Sequence, residues 1–144
     1  MDHFQESMVL THSGVMVMLN AAVKKAEQLN VPQCIVIVDS SGQVLGEIRM
    51  TGAKFLSRKS ARSKALTAAS IRAPSSQIPE PVRLTIGLAT QGDVTGLSGG
   101  LPIFKNGHLL GGIGVGSGSA DQDIEVANAA LLAIGADARA ASDE

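Results

Sequence analysis

The sequence predicts an α+β domain in which helices flank an antiparallel sheet. Two apolar segment pairs joined by tight-turn residues indicate β-hairpins, and three segments with apolar residues at helical spacing indicate helices. Hairpins join neighbouring strands antiparallel, which excludes a doubly wound parallel sheet. The chain has 144 residues, 44% of them hydrophobic, which suffices for one domain with its own core. We therefore expect a single domain over residues 1–144, ordered helix, hairpin, helix, irregular segment, hairpin, helix.

The first helix is predicted from about Thr11 to Leu29. Its apolar stripe consists of Val15, Leu19, Ala22, Ala26 and Leu29. The Thr11 hydroxyl is suited to accept a hydrogen bond from a free N–H of the first turn. Asn30 and Pro32 end the helix, because asparagine tolerates left-handed backbone and proline lacks an N–H.

The first hairpin follows directly. The β-branched run from Cys34 to Val38 is typical of a strand covered on both faces. Turn-forming residues occupy 39–42, and a second strand is predicted from Gln43 to Met50.

The second helix is predicted from Phe55 to about Arg72. Ala61, Ala65 and Ala68 share one side, so another backbone can approach that side closely. From Pro74 to Pro81 we expect loop or short turns.

The second hairpin and the last helix have the clearest signals. Asn106-Gly107 predicts a type I′ turn, which needs positive φ at both central residues. Ser119 and Gln122 have the spacing of a capping box at a helix start. The buried stripe of this helix is predicted as Ile124, Ala127, Leu131 and Ile134. The chain from Ala136 onward is expected to fray.

The composition excludes several classes of function. A net charge of -1 and an aromatic content of 2% disfavour a nucleic-acid-binding protein, which needs basic surface and stacking side chains. The one cysteine, Cys34, cannot form an internal disulfide or a cysteine-rich zinc site. The N-terminus does not resemble a signal peptide, and no apolar run is long enough to span a membrane. We expect a cytoplasmic protein without nucleic-acid or membrane partners.

The glycine-rich segment Gly96–Gly118 allows two interpretations. It matches neither phosphate-binding signature: it lacks Gly-Lys-Ser/Thr and the final glycine of a dinucleotide fingerprint. Glycine favours close packing of strand and helix backbones, which is the first interpretation. In the second, a ligand lies flat against bare backbone, and the binding residues are Gly99, Gly100, Gly114 and Gly116.

Histidines and cations supply the other candidate site residues. Of His3, His12 and His108, only His12 lies at a helix start, and exposed surface histidine is the alternative for each. The basic residues of the second helix form either a solvated face or an anion-binding surface. Arg49 and Lys64 lie beside surfaces expected to be packed, so each needs a carboxylate partner. That partner is an internal group such as Asp39 or the carboxylate of a ligand.

Several motifs in order resemble the GlcG/HbpS family of heme-binding proteins, which also occurs as the C-terminal domain of PduO-type cobalamin adenosyltransferases. The resemblance covers about Leu10 to Ala136, and its motifs are Val38-Asp39-Ser40-Ser41-Gly42, Arg49-Met50-Thr51-Gly52-Ala53, Lys64–Ala69, Gly99–Ile103, Asn106-Gly107, Gly111–Val115 and Asp121-Gln122-Asp123. It implies a profilin-like fold with about five antiparallel strands, a homo-oligomer, and heme binding or breakdown. Two motifs depart from the family pattern: Thr51 replaces an aspartate, and Gly116 lengthens the last glycine loop.

Three functions follow as hypotheses. In the first, the protein binds heme or another tetrapyrrole near the second helix, with His12 as the iron ligand and Arg49, Arg58, Arg62 and Lys64 facing the propionates. In the second, it is a catabolic isomerase or hydrolase: Arg49 clamps a small carboxylate, and Lys64 or Asp39 acts as acid or base. In the third, it is a non-catalytic accessory protein that forms oligomers.

Overall fold

A sheet of four strands with helices on both faces forms the protein. The computed structural model describes residues 1–137. Its elements are α1 (His12–Gln28), β1 (Cys34–Asp39), β2 (Val44–Arg49), α2 (Ser57–Ile71), α3 (Arg83–Ala89), β3 (Gly100–Lys105), β4 (His108–Gly116) and α4 (Ala120–Ala133). Two short 3-10 turns, Ser75–Gln77 and Glu80–Val82, precede α3. The α+β class is confirmed.

The strands lie in the order β2-β1-β4-β3, and all neighbours are antiparallel. The family resemblance implied about five strands, and this number is wrong for residues 1–137, where the sheet has four. The segment between α2 and β3 adds no strand, because it forms 3-10 turns and α3. Pro74, Pro79 and Pro81 favour this outcome, since proline cannot donate to a strand ladder.

Each sheet face has its own core. On one face, the buried residues of α1 and α4 pack with Ile35, Ile37, Ile113 and neighbouring apolar residues. On the other face, α2 packs with Cys34, Val36 and Val38. Strand β1 is therefore covered on both sides, as its sequence predicts. The edge strand β2 is largely exposed.

Helix α2 lies unusually close to the sheet. A Cβ atom at Gly114 would meet the backbone oxygen of Ala61, and one at Gly112 would meet that of Ala65. Ala61 and Ala65 are fully buried. The alanine side of α2 thus rests on the glycines of β4, and the close-packing interpretation of these alanines and glycines is confirmed.

The local signals at helix ends and turns are also confirmed. The Thr11 hydroxyl accepts from the Gly14 N–H at 3.1 Å, and Asn30 has a φ of 56°. Both halves of the capping box at Ser119 and Gln122 are present. Asn106 and Gly107 have φ values of 51° and 79°, as a type I′ turn requires.

Two details differ from the sequence-based expectations. Helix α2 begins at Ser57 rather than Phe55, which leaves Phe55 and Leu56 in the preceding loop. The buried residues of α4 are Asp123, Val126, Ala127, Ala130 and Leu131, so its stripe is rotated toward an aspartate. Of the expected frayed tail, residues 138–144 lie outside the described residues.

No helix between residues 1 and 137 combines the length and the hydropathy that crossing a membrane requires.

Candidate functional site

Lys64 is a buried cation held at the border of the sheet. It lies on α2, and only 6% of its side chain is exposed. Its Nζ donates to the Val115 carbonyl oxygen at 2.7 Å and to Asp123 Oδ2 at 3.1 Å. The expected carboxylate partner is therefore present, but it is Asp123 of α4 and not Asp39.

Asp123 joins Lys64 to the glycine-rich turn that follows β4. Its Oδ1 accepts from the Gly118 N–H at 3.0 Å, while its Oδ2 faces Lys64. Burial raises the pKa of Asp123 above its ordinary value. The Lys64 charge, the hydrogen bonds from Lys64 and Gly118, and the Gln33 side chain act in the opposite direction without cancelling it.

Gln33 completes this buried polar cluster. It is fully buried, and a Cβ at Gly118 would stand 2.5 Å from its Nε2 and 2.9 Å from Asp123 Oδ1. Within the described residues, neither Nε2 nor Oε1 of Gln33 makes a well-aligned hydrogen bond. The Gln33 amide lies beside Asp123 and acts to lower the pKa of that carboxyl.

Asp39 has a structural role at the other end of β1. Its Oδ1 accepts from the Ser41 N–H at 2.9 Å, the Ser41 hydroxyl at 2.8 Å and the Gln43 N–H at 3.0 Å. Desolvation acts to raise the pKa of Asp39, but these hydrogen bonds outweigh it and the pKa is lowered. In the register of β1 and β4, Asp39 lies opposite Gly111, whereas Lys64 binds the Val115 oxygen near the other end of β4. Asp39 is therefore remote from Lys64.

The structure does not bring Arg49, His12 and Lys64 together. Arg49 is exposed on the edge strand β2, two strands away from the β4 carbonyl that holds Lys64. His12 is exposed at the start of α1, which covers the sheet face opposite α2. One chain thus offers no shared site for these three residues.

The four glycines expected to bind a ligand are packing positions. A Cβ at Gly100 would meet the Lys64 backbone oxygen, and one at Gly114 would meet that of Ala61. A Cβ at Gly116 would lie 3.2 Å from the Ser57 backbone oxygen. A Cβ at Gly99, where φ is 121°, would lie 2.6 Å from the Val115 backbone oxygen. Protein backbone occupies these surfaces, so they leave no space for a ligand lying flat against Gly100 or Gly114.

An open cleft lies at the start of α2. It has a volume of about 510 Å³ and is lined by Lys54, Phe55, Leu56, Ser57 and Ser60. Phe55 is 66% exposed and Leu56 is 65% exposed, so these neighbours form an apolar pair at the surface. We call this feature the Phe55 cleft.

One cation, Lys54, lines the Phe55 cleft. Arg58 and Lys59 follow in the first turn of α2 and are exposed, and Arg58 forms an ion pair of 2.8 Å with Glu47 of β2. An apolar surface with cations at its rim suits a flat apolar ligand that carries carboxylates.

Residues 54–56, which we call the Lys54 segment, form one wall of the cleft. Two hydrogen bonds connect this segment to β1 and to the turn after β4. The Lys54 N–H donates to Ser117 Oγ at 3.3 Å, and Cys34 Sγ donates to the Lys54 oxygen at 3.6 Å. Burial raises the pKa of the Cys34 thiol, although Arg49 and Arg58 act to lower it. Cys34 is thus a protonated, buried support beneath the cleft wall.

Sequence reasoning missed Asp123, Gln33, Phe55 and Leu56 as site residues. The capping box gave Asp123 a role at a helix start, but its burial beside Lys64 depends on how α4 is rotated against the sheet. For Phe55 a signal existed, since an apolar pair between two basic residues in a turn is unusual. Among residues 1–137, no group of three or more His, Cys, Asp or Glu side chains is placed to hold a metal ion.

These features define a small α+β module with helices on both sheet faces and an open apolar and basic cleft at the start of α2. The chain belongs to the HbpS-like family: the model of this family, described as haem degrading protein HbpS-like, matches residues 10–132. The family resemblance of the sequence motifs is therefore confirmed.

Relatives and solved structures agree with this assignment. The chain is 34% identical over 135 residues to the corrinoid adenosyltransferase PduO of Citrobacter freundii, covering 90% of this chain and 40% of PduO. It therefore spans less than half of that relative. An uncharacterized 15.0 kDa protein from the dhaT-dhaS intergenic region of the same organism is 31% identical, with 91% of this chain and 96% of that protein covered.

Solved structures show the same architecture. Klebsiella pneumoniae protein ORFY superposes with a TM-score of 0.88 at 28% identity, covering 94% of this chain and 97% of that one. A PduOC:heme complex gives a TM-score of 0.84 at 30% identity, covering 90% and 98%. A variant of HbpS from Streptomyces reticuli gives 0.79 at 32% identity, covering 90% and 89%.

Proposed function

We propose that this protein binds heme or a related tetrapyrrole in the Phe55 cleft. The observation that carries the proposal is the exposure of Phe55 and Leu56 beside the cations Lys54, Arg58 and Lys59. The apolar pair suits the face of a porphyrin, and the cations suit its propionates. The solved relative that holds heme supports the same ligand class.

The cleft is open to solvent, and heme burial needs a cover. We propose that a second copy of the chain supplies it, so that the protein works as a homo-oligomer. His12 lies on the opposite sheet face of its own chain, and it serves as an iron ligand here only if it comes from another copy. Bound heme would supply its iron for redox or ligand chemistry, while the chain's residues bind and orient the porphyrin.

The catalytic hypothesis lacks comparable support. Lys64 is buried in an ion pair, Asp39 is committed to the turn after β1, and Arg49 lies on the edge strand. These residues do not surround a common cleft, so we do not propose catalysis by them.

A titration followed by absorbance tests the proposal with paired ligands, heme and iron-free protoporphyrin. We expect saturable binding of both, and Phe55→Glu weakens both by at least about tenfold because it places a charge in the apolar wall. Leu132→Glu is the matched control, since Leu132 is 76% exposed on α4, away from the cleft. His12→Ala changes only the heme spectrum if His12 binds iron. No saturable binding by the unmodified protein, or equal binding by Phe55→Glu, contradicts the proposal.

A further inference from the structure

We propose that Lys64 and Asp123 are positioning residues that hold the wall of the Phe55 cleft. They fix the turn after β4, and that turn fixes the Lys54 segment through Ser117. The structure gives these hydrogen bonds directly, whereas the predicted effect on heme affinity rests on the proposed function.

The buried pair of Lys64 and Asp123 holds the turn after β4 at two points. Lys64 binds the last part of β4 through the Val115 oxygen at 2.7 Å. Asp123 binds the turn itself through the Gly118 N–H at 3.0 Å. Because the ion pair of 3.1 Å joins these two contacts, the backbone from 115 to 118 is held at both ends by one buried unit.

Ser117 connects the turn after β4 to the wall of the cleft. Ser117 lies between the two anchored points, and its φ of 94° is unfavourable for a residue with a side chain. A conformation of this kind persists only when its surroundings enforce it. In this conformation Ser117 Oγ accepts from the Lys54 N–H at 3.3 Å, next to Phe55 and Leu56 in the chain.

The Lys54 segment has few other supports. It precedes the first residue of α2, and Lys54, Phe55 and Leu56 are all exposed. Apart from the hydrogen bond to Ser117, the Lys54 oxygen accepts from Cys34 Sγ. The oxygens of Lys54, Phe55 and Leu56 also accept from the N–H groups of the first turn of α2, which ties the segment to its own helix but not to the sheet. Loss of the Ser117 contact therefore frees one side of the wall and exposes the path to Cys34.

Cys34 provides a direct readout, because it is the one cysteine of the chain and is fully buried. We propose to measure the rate at which a thiol reagent modifies Cys34 under native conditions. Asp123→Asn keeps the side-chain size but removes the charge that holds Lys64 and Gly118. We expect Cys34 of this variant to react at least about tenfold faster than in the unmodified protein.

A stability control separates local opening from global unfolding. Val126→Ala changes a residue on the same helix that is fully buried in the core of the opposite sheet face. In this control, the labelling rate of Cys34 is expected to rise only by the amount that its loss of unfolding free energy explains. If the labelling rate in Asp123→Asn is no faster than its own loss of unfolding free energy explains, the pair has only a structural role and the proposal fails.

A double-mutant cycle tests the path. Ser117→Ala removes the hydroxyl that holds Lys54, and it too is expected to speed the labelling of Cys34. If the pair acts through Ser117, then Asp123→Asn adds little to Ser117→Ala. Additive effects on the logarithm of the rate would overturn the path through the turn.

Heme binding by the same variants distinguishes this inference from the proposed function. Faster labelling together with heme binding weakened by at least about tenfold supports both. Faster labelling with unchanged heme affinity supports the positioning of the wall and contradicts heme binding in the Phe55 cleft. Unchanged labelling overturns the positioning role whatever the heme affinity is.

Discussion

Replacing Gly114 by alanine distinguishes a packing role from a ligand-binding role for the glycines of β4. A Cβ at this position would meet the Ala61 oxygen and would stand 2.6 Å from the Ala65 nitrogen. Both are backbone atoms, so no side-chain rotation relieves the contact. Helix α2 cannot simply rise, because Ala61 and Ala65 are buried against the sheet and Lys64 is anchored at Val115.

The magnitude follows from two opposing effects. Overpacking of this kind costs about 1–3 kcal/mol and sometimes more, and here two backbone atoms are involved. Alanine is favoured over glycine in a strand by about 0.5–1 kcal/mol, which offsets part of that cost. Taking the upper end of the overpacking cost, about 3 kcal/mol, we expect a net loss of about 2–2.5 kcal/mol in the free energy of unfolding, or roughly 4–10 °C in the melting temperature at this chain length.

Urea unfolding and thermal melting measure this loss, with Gly87→Ala as the control. The nearest atom to a Cβ at Gly87 is the Val94 oxygen at 3.7 Å, which is ordinary contact. Gly87 lies in α3, so its replacement is expected to stabilise slightly. If Gly114→Ala unfolds within about 0.5 kcal/mol of the unmodified protein, the close packing of α2 on β4 is refuted. A loss of ligand affinity at full stability would instead favour the ligand interpretation.

Three further predictions concern the titratable groups. Lys64→Met leaves the Asp123 carboxylate buried without its cation, and we expect the free energy of unfolding at pH 7 to fall by about 3–5 kcal/mol. Urea unfolding measures this loss, which should be largely relieved in the double variant with Asp123→Leu. Asp39 has a lowered pKa in the folded protein, so its contribution to stability is present above its ordinary pKa and is lost as the pH falls through the folded value. Asp39→Asn should lower the free energy of unfolding by about 1 kcal/mol at neutral pH and reduce the loss of stability on acidification. An unchanged loss of stability at acid pH would contradict the role of Asp39 in the turn. Cys34 has a raised pKa, so the native thiol should react much more slowly at pH 8 than in urea, and equal rates would show that it is not buried.

The parts of the fold that sequence reasoning predicted depend on local chemistry. The type I′ turn at Asn106-Gly107, the N-cap at Thr11 and the capping box at Ser119 each involve residues close together in the chain. The close approach of α2 was also predictable, because alanines at helical spacing and glycines at strand spacing are complementary surfaces.

The pairing of Lys64 with Asp123 depends instead on long-range geometry. The two residues are far apart in sequence and lie on helices that pack on different faces of the sheet. They meet because the Lys64 side chain extends past Gly99 and Gly100 to the border of the sheet, where α4 begins. A sequence shows that a buried lysine needs a carboxylate, but which aspartate supplies it depends on how α4 packs against the sheet.

The same close packing constrains where a ligand can bind. Alanines of α2 rest on glycines of β4 and fill the space between helix and sheet, so a large planar ligand does not bind between them. The chain has three phenylalanines: Phe104 is buried in β3, Phe4 lies in the irregular N-terminal segment, and Phe55 lies in the cleft. Aromatic residues are scarce in this chain, and the one that lines the Phe55 cleft is Phe55 itself. This makes Phe55 the side chain on which the heme proposal most directly depends.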